Sequence, residues 1–341
     1  MRRTAFTAAF VVALTGLTPT AAHADPGPTL SHTTAVGVHN AYEQGAFPYF
    51  ADALSTGAGL LEMDVWVDGF ARKWRVSHNL PLGRSYSNCA TALRSGTRDL
   101  DLDGCLNNIR DWHAANPDHP VLIIKLEMKN GFEGRAQMGA PQLDALINQK
   151  LNGIVYRPGD LLRKPGGGEY ADLDEAARAD NWPTRDELRG RVIFEIIPGT
   201  FEQQNPFDSY WTDVETADHL RSLKAAGRIG EATVFPTVLG AAGGDPRTRY
   251  ADAGRRPWFV IFDGGAPSYV GGGVDPAWYD TNHYLLVMAG AESVAPPIDG
   301  RNPTPEQARA RVTQLAAAHA SVVTSDWSPA TGVLGMVTGR G

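Results

Sequence analysis

The sequence predicts an α/β protein, a single (β/α)8 TIM-type barrel, on three observations. Segments of strand and of helix character alternate along about 300 residues, the order of a parallel sheet with crossover helices. The candidate strands number about nine, and that count with this length fits a closed barrel better than an open sheet. No linker and no repeat of short period interrupts them, so residues 25–341 read as one domain.

After the leader Asp25-Pro26-Gly27-Pro28, Thr33 to Asn40 predicts a first strand ending in His39-Asn40. Phe47 to Ser55 predicts a short helix, and Gly57 and Gly59 lead into the strand Leu60 to Val67. Asp68-Gly69 is a turn signal, and Trp74 to His78 the next strand. Asp103 to Ala115 carries Leu106, Ile109, Arg110 and His113 at helical spacing. Val121 to Met128 is a nearly continuous apolar run, the mark of a strand buried on both faces, with Glu127 at its end.

The second half repeats the alternation. Pro141 to Leu151 predicts a helix, Arg191 to Pro198 a buried strand and Ala217 to Ala226 a helix. Strand character returns at Thr233 to Gly240, Trp258 to Gly264 and Tyr284 to Ala289. Thr304 to Ala320 is a helix opened by Thr304 before Pro305, and Ser321 to Trp327 is the last strand. One candidate is surplus to a barrel of eight. Thr233 to Gly240 is the expected misfit, because Pro236 interrupts it. The runs Gly166–Gly168, Gly243-Gly244 and Gly271–Gly273 read as loops without phosphate-loop spacing, so no nucleotide is expected.

Composition bounds compartment and partners. The 341 residues are 43% hydrophobic and 20% charged, ordinary for a globular chain. Met1-Arg2-Arg3, the apolar run Ala8 to Leu17 and Ala22-His23-Ala24 predict a signal peptide over residues 1–24 and a secreted, extracellular protein. No segment reaches the roughly 18 apolar residues of a transmembrane anchor. Loss of residues 1–24 removes Arg2 and Arg3 and no acid, taking the net charge from −7 to −9. That balance argues against nucleic acid. Export favours a disulfide between Cys89 and Cys105, the two cysteines present; the other reading is two buried thiols.

Glu62 and Asp64 stand two apart on an apolar strand, so they share one face. Two like charges there are costly unless a cation lies between them. In a barrel, reacting groups come from the C-terminal ends of different strands. His39-Asn40, Glu62 with Asp64, His78 and Glu127 would arrive there from four consecutive strands. Asn40, Glu62, Asp64 and Glu127 are oxygen donors suited to one calcium ion and less to zinc. His39 and His78 remain as a proton-exchanging pair. A hard cation with two histidines suits cleavage of a phosphodiester.

Lys129, on the strand face of Glu127, is either a phosphate contact or a solvated rim lysine. Glu195, Asp263 and Asp326 also end strands and are expected to support the site. His32, His113, His119, His219, His283 and His319 receive a structural expectation.

The segments His39-Asn40-Ala41-Tyr42, Leu61-Glu62-Met63-Asp64-Val65, Val76-Ser77-His78 and Leu126-Glu127-Met128-Lys129 resemble the calcium-dependent phosphoinositide-specific phospholipase C family, in its exported bacterial single-domain branch. The resemblance extends to Cys105–Trp112, Trp182-Pro183-Thr184 with Leu188-Arg189-Gly190, and Thr324-Ser325-Asp326-Trp327. It implies a phosphodiesterase barrel that cleaves phosphatidylinositol at a membrane surface. In that reaction the inositol 2-hydroxyl attacks phosphorus, diacylglycerol leaves and a cyclic inositol phosphate forms. Matched residue by residue, Asn40, Glu62, Asp64 and Glu127 fall on the calcium ligands and His39 and His78 on the catalytic histidines. His39 is assigned transition-state stabilisation, His78 the general acid and Glu62 the base.

Two segments depart from the family pattern. Leu286 to Glu292 replaces an arginine-rich strand, and Thr324 to Trp327 a Ser-Thr-Asp-Tyr motif. Both changes bear on the headgroup. A monomer is expected. Three other readings stay open: a related barrel acting on glycerophosphodiesters or sphingomyelin, a barrel glycosidase, and a lapsed enzyme that binds lipid or sugar phosphate.

Overall fold

The computed structural model describes residues 27–341, so the expected signal peptide lies outside the described residues. Ten strands follow in chain order: β1 (Thr33–Val38), β2 (Leu60–Asp68), β3 (Lys73–Val76), β4 (Leu122–Met128), β5 (Val192–Pro198), β6 (Val234–Leu239), β7 (Ile261–Gly265), β8 (Leu285–Ala289), β9 (Val322–Ser325) and β10 (Val337–Gly339). Eight of them pair in parallel, from β1 through β2, β4, β5, β6, β7, β8 and β9 back to β1. This is the closed barrel the alternation predicts. The other two are antiparallel additions, β3 on β2 and β10 on β1.

The surplus strand is therefore β3, and the expectation that Thr233 to Gly240 would drop out is corrected. Pro236 is tolerated because of where it falls. Ile196↔Pro236 ends the pairing with β5, and pairing with β7 begins at Thr237↔Ile261. The missing N–H thus sits where the ladder changes partner.

Helices pack outside the barrel at Phe50–Leu54, Leu102–Ala115, Ala140–Leu151, Thr212–Ala225 and Pro305–Ala317. Thr304 Oγ1 accepts from the Gln307 amide, and the Gln307 side chain accepts from the Thr304 amide, so this last helix starts where the sequence places it. The helix expected from Ala217 begins a turn earlier, at Thr212. The amide and hydroxyl of Thr212 both donate to the buried Glu202, a contact with no local sequence signal.

Cys89 and Cys105 form the expected disulfide, with Cα atoms 5.0 Å apart. It ties the loop after β3 to helix Leu102–Ala115. Closing a loop of 16 residues contributes about 3 kcal/mol in the chain-entropy model.

Candidate active site

β2 is buried from Leu60 to Val67, so Glu62 and Asp64 are held almost without solvent. The β2–β4 register sets Asp64 beside Glu127 and Glu62 beside Lys125. One oxygen each of Glu62, Asp64 and Glu127 lie within 4.8 Å of one another. Calcium bonds oxygen at 2.3–2.6 Å, so its coordination shell is about 5 Å across and spans that spacing.

The electrostatics of the three carboxylates also fit a cation. Burial, with the charges of Glu127 and Glu62, outweighs Lys129 and pushes the Asp64 carboxyl up to about 6. Asp64 Oδ1 is buried without a hydrogen-bond partner among the described residues. Burial alone would raise Glu127, but Lys129 and Thr200 hold it below its usual value.

Glu127 is fixed by a loop as well as by its strand. Gly199 lies so close that a Cβ would stand 2.4 Å from Lys129 Cα. That approach places the Thr200 amide and hydroxyl 3.2 and 3.0 Å from Glu127 Oε1. The sequence reading passed over Thr200, since nothing local marks a residue bonded 73 positions away.

His39 and Asn40 are neighbours, and on a regular strand they would face opposite ways. β1 stops at Val38, however, and Asn40 adopts a φ of 53°, the left-handed region that asparagine tolerates. The asparagine amide nitrogen accordingly lies 3.0 Å from His39 Nδ1. Its carbonyl oxygen accepts from Tyr42 Oη at 3.3 Å, which leaves that oxygen a second lone pair for a cation. Tyr42 is kept protonated by burial and by Asp64, so it stays a donor.

His39 Nδ1 lies 2.8 Å from Asp326 Oδ1, and Nε2 stands 3.8 Å from Glu62 Oε1. Burial opposes protonation of this ring, but Glu62 and Asp326 outweigh it and hold the pKa up at about 9. Asp326 thus supports the site by orienting His39, in line with its expected role.

His78 arrives by a route the sequence reading did not foresee. β3 is no barrel strand; it returns antiparallel from a hairpin that rises above the rim. The Ser77 amide donates to the Asp64 carbonyl, and His78 Nδ1 ends 3.2 Å from Asp64 Oδ2.

Lys129 is no solvated rim lysine. It is buried, with Nζ 2.9 Å from Glu127 Oε1 and 3.2 Å from Asp64 Oδ2. Lys125, hidden in the apolar run of β4, escaped the sequence reading altogether. Its Nζ lies in the barrel interior, 2.6 Å from Asp263 Oδ2 and 3.3 Å from Glu62 Oε2. Glu195 neighbours it in register and accepts from Thr237 Oγ1 at 3.0 Å. Burial and the Asp263 charge push the Glu195 carboxyl up to about 8, so it is neutral at pH 7. Glu195 and Asp263 lie within β5 and β7 rather than at their ends, and so beneath the site.

The family model of calcium-dependent phosphoinositide phospholipase C matches residues 93–218, a stretch that includes Lys125, Glu127 and Lys129. The structure superposes on a calcium-dependent phosphatidylinositol-specific phospholipase C from Streptomyces antibioticus with a TM-score of 0.88 and 53% identity, covering 92% of this chain and 99% of that one. It also matches a calcium-dependent phosphoinositol-specific phospholipase C from Pseudomonas sp. with a TM-score of 0.64 and 18% identity, over 87% of this chain and 90% of that one. The second likeness is one of fold. No curated protein matches the sequence. With a relative of 53% identity along nearly its whole described length, this chain belongs to the calcium-dependent phosphoinositide phospholipase C family.

Proposed function

We propose that the protein is a secreted, monomeric, calcium-dependent phospholipase C that cleaves phosphatidylinositol to diacylglycerol and a cyclic inositol phosphate. One observation carries this most directly. Three carboxylates gathered at calcium spacing are flanked on the same rim by two histidines.

Asn40, Glu62, Asp64 and Glu127 would hold the ion, which would offset the phosphoryl charge and lower the pKa of a coordinated hydroxyl. Glu62 takes the proton from the inositol 2-hydroxyl as that oxygen bonds to phosphorus. His39, kept cationic by Glu62 and Asp326, stabilises charge on the phosphoryl oxygens. The bond from phosphorus to the glycerol oxygen breaks, and His78 gives that oxygen its proton. Asp64 engages Nδ1 of His78 and leaves Nε2 for the donation. Lys129 is assigned to a phosphate oxygen.

The headgroup and the surface follow from the rim. β8 is apolar and offers no cation at its end, which suits inositol without further phosphates. Trp327 is fully buried and is no platform for a sugar ring. Phe70, Leu80, Leu82, Phe201, Phe207 and Tyr210 are exposed, each in a segment that follows the C-terminal end of β2, β3 or β5. An apolar set on the rim of the site suits contact with lipid. Phe201 is braced by Trp66, with ring centroids 4.7 Å apart.

Phosphorus NMR of phosphatidylinositol vesicles, with calcium and then with excess chelator, tests the proposal. A cyclic phosphate resonance that needs calcium is expected. Silence in both conditions, or a product that forms equally in chelator, would overturn it.

A further inference from the structure

The base of the barrel, opposite the catalytic rim, carries a second cluster of metal-ligating side chains. His32 closes the turn just before β1, His283 stands two residues before β8, and Asp180 lies in the connection leading to β5. Three segments far apart in sequence thus converge at the N-terminal ends of barrel strands. One ligand atom from each of the three residues lies within 4.8 Å of the others. His32 Nε2 is 2.9 Å from Asp180 Oδ2, and His283 Nδ1 is 3.6 Å from Asp180 Oδ1.

The geometry points to a transition-metal site, of the zinc class, formed by His32, Asp180 and His283. Two imidazole nitrogens and a carboxylate oxygen are donors that borderline divalent ions take and calcium does not favour. In a tetrahedral zinc site with bonds of about 2.0–2.1 Å, neighbouring donor atoms stand about 3.3 Å apart. The observed 2.9 and 3.6 Å lie on either side of that value, each to a different oxygen of Asp180, so the carboxylate stands between the two imidazoles.

Further features support a ligand there. His283 Nδ1 is buried and has no hydrogen-bond partner among the described residues, although it faces a carboxylate. The Ser31 and Thr29 hydroxyls donate to Asp180 Oδ1 at 2.8 and 3.4 Å, the outer contacts that orient a metal-binding carboxylate. Trp182 Nε1 donates to the His283 carbonyl and fixes that residue's backbone. Asp180 and His283 have φ values of 52° and 56°, which residues with a Cβ adopt uncommonly and which the surroundings here hold in place.

Three protein ligands leave a fourth position to water. At the base of a barrel the site would clamp the first strand's entry to the entries of β5 and β8, a bracing role apart from the reaction.

The test is a calorimetric titration of the calcium-saturated protein with zinc chloride, so that the carboxylates of the rim are already engaged. One equivalent bound is expected, with a rise in melting temperature. His32→Ala and His283→Ala should each weaken binding by more than the roughly 10–100-fold that an outer contact costs. Asp180→Asn, which keeps the side chain's shape, should do the same while calcium-dependent turnover stays unchanged. Cobalt in place of zinc should show the visible bands of a tetrahedral ion in the parent and lose them in the variants. No zinc uptake by the parent, or uptake by all three variants equal to the parent's, would overturn the site.

Discussion

Two lysines on one strand show how differently the barrel treats the same charge. Lys125 and Lys129 are four residues apart on and just beyond β4, on the face that carries Glu127, and each lies among carboxylates. Lys125 is sealed in the interior, against Asp263 and Glu62, with a neutral Glu195 beside it. Its ammonium is part of the floor, and Glu62 is positioned against it. Lys129 sits at the mouth, against Asp64 and Glu127, where the proposed calcium ligands meet. The difference is one of depth. An interior counter-ion is permanent, whereas one at the mouth shares its carboxylates with whatever cation arrives.

The largest contrast should come from Lys125→Met. Removing one partner from a buried charge cluster strands the others, so a loss of about 3–5 kcal/mol in unfolding free energy is expected in a denaturant titration. A loss below about 1 kcal/mol would show that the floor does not depend on this ammonium.

Lys129→Met is expected to cost less stability, about 1–2 kcal/mol, because Glu127 beside it is partly open to water whereas the partners of Lys125 are sealed. Its effect should appear in calcium affinity, which is expected to rise about tenfold once a competing positive charge has gone. Turnover should fall, since the phosphate loses a contact. Weaker calcium binding in this variant would break the distinction between the two lysines.

Glu195 gives the most specific effect, one confined to the pH dependence of stability. Its pKa is raised from 4.5 in the unfolded chain to about 8 in the fold, so the folded state holds this proton more tightly. The stability it contributes is full below pH 4.5 and is lost as the pH rises through about 8. Unfolding free energy measured across that window should fall less steeply in Glu195→Gln than in the parent. Parallel pH profiles would place the ionised glutamate in the fold already.

Much of this was legible in the sequence. The alternation of elements, the eight-stranded closure and the Glu62–Asp64–Glu127 grouping follow from strand periodicity and from carboxylates in apolar runs. The pairing of Cys89 with Cys105 followed from compartment. What escaped shares a physical cause. Lys125 reads as one polar residue in a buried strand, because its partners come from β2 by register and from β7 across the barrel interior. His78 reads as the end of a barrel strand, since a hairpin that turns back looks locally like a strand going on. Thr233 to Gly240 reads as the misfit because of Pro236, where the cost depends on which neighbour needs the N–H. Pro236 falls between two pairings.

His32 and His283 carry a structural expectation, and the zinc site proposed at the barrel's base would add a ligand role to it. Loop contacts of that kind have no period to read.

The central claim, that the carboxylates of β2 and β4 with Asn40 bind calcium for the reaction, is tested most directly by calorimetric calcium titration of Glu127→Gln beside the parent. Glu127 lies at the rim, so the variant should melt within a few degrees of the parent while its calcium affinity drops at least about tenfold, the scale of one lost anionic ligand. Unchanged affinity would contradict the ligand set. A collapse in melting temperature with calcium dependence preserved would make Glu127 a structural residue.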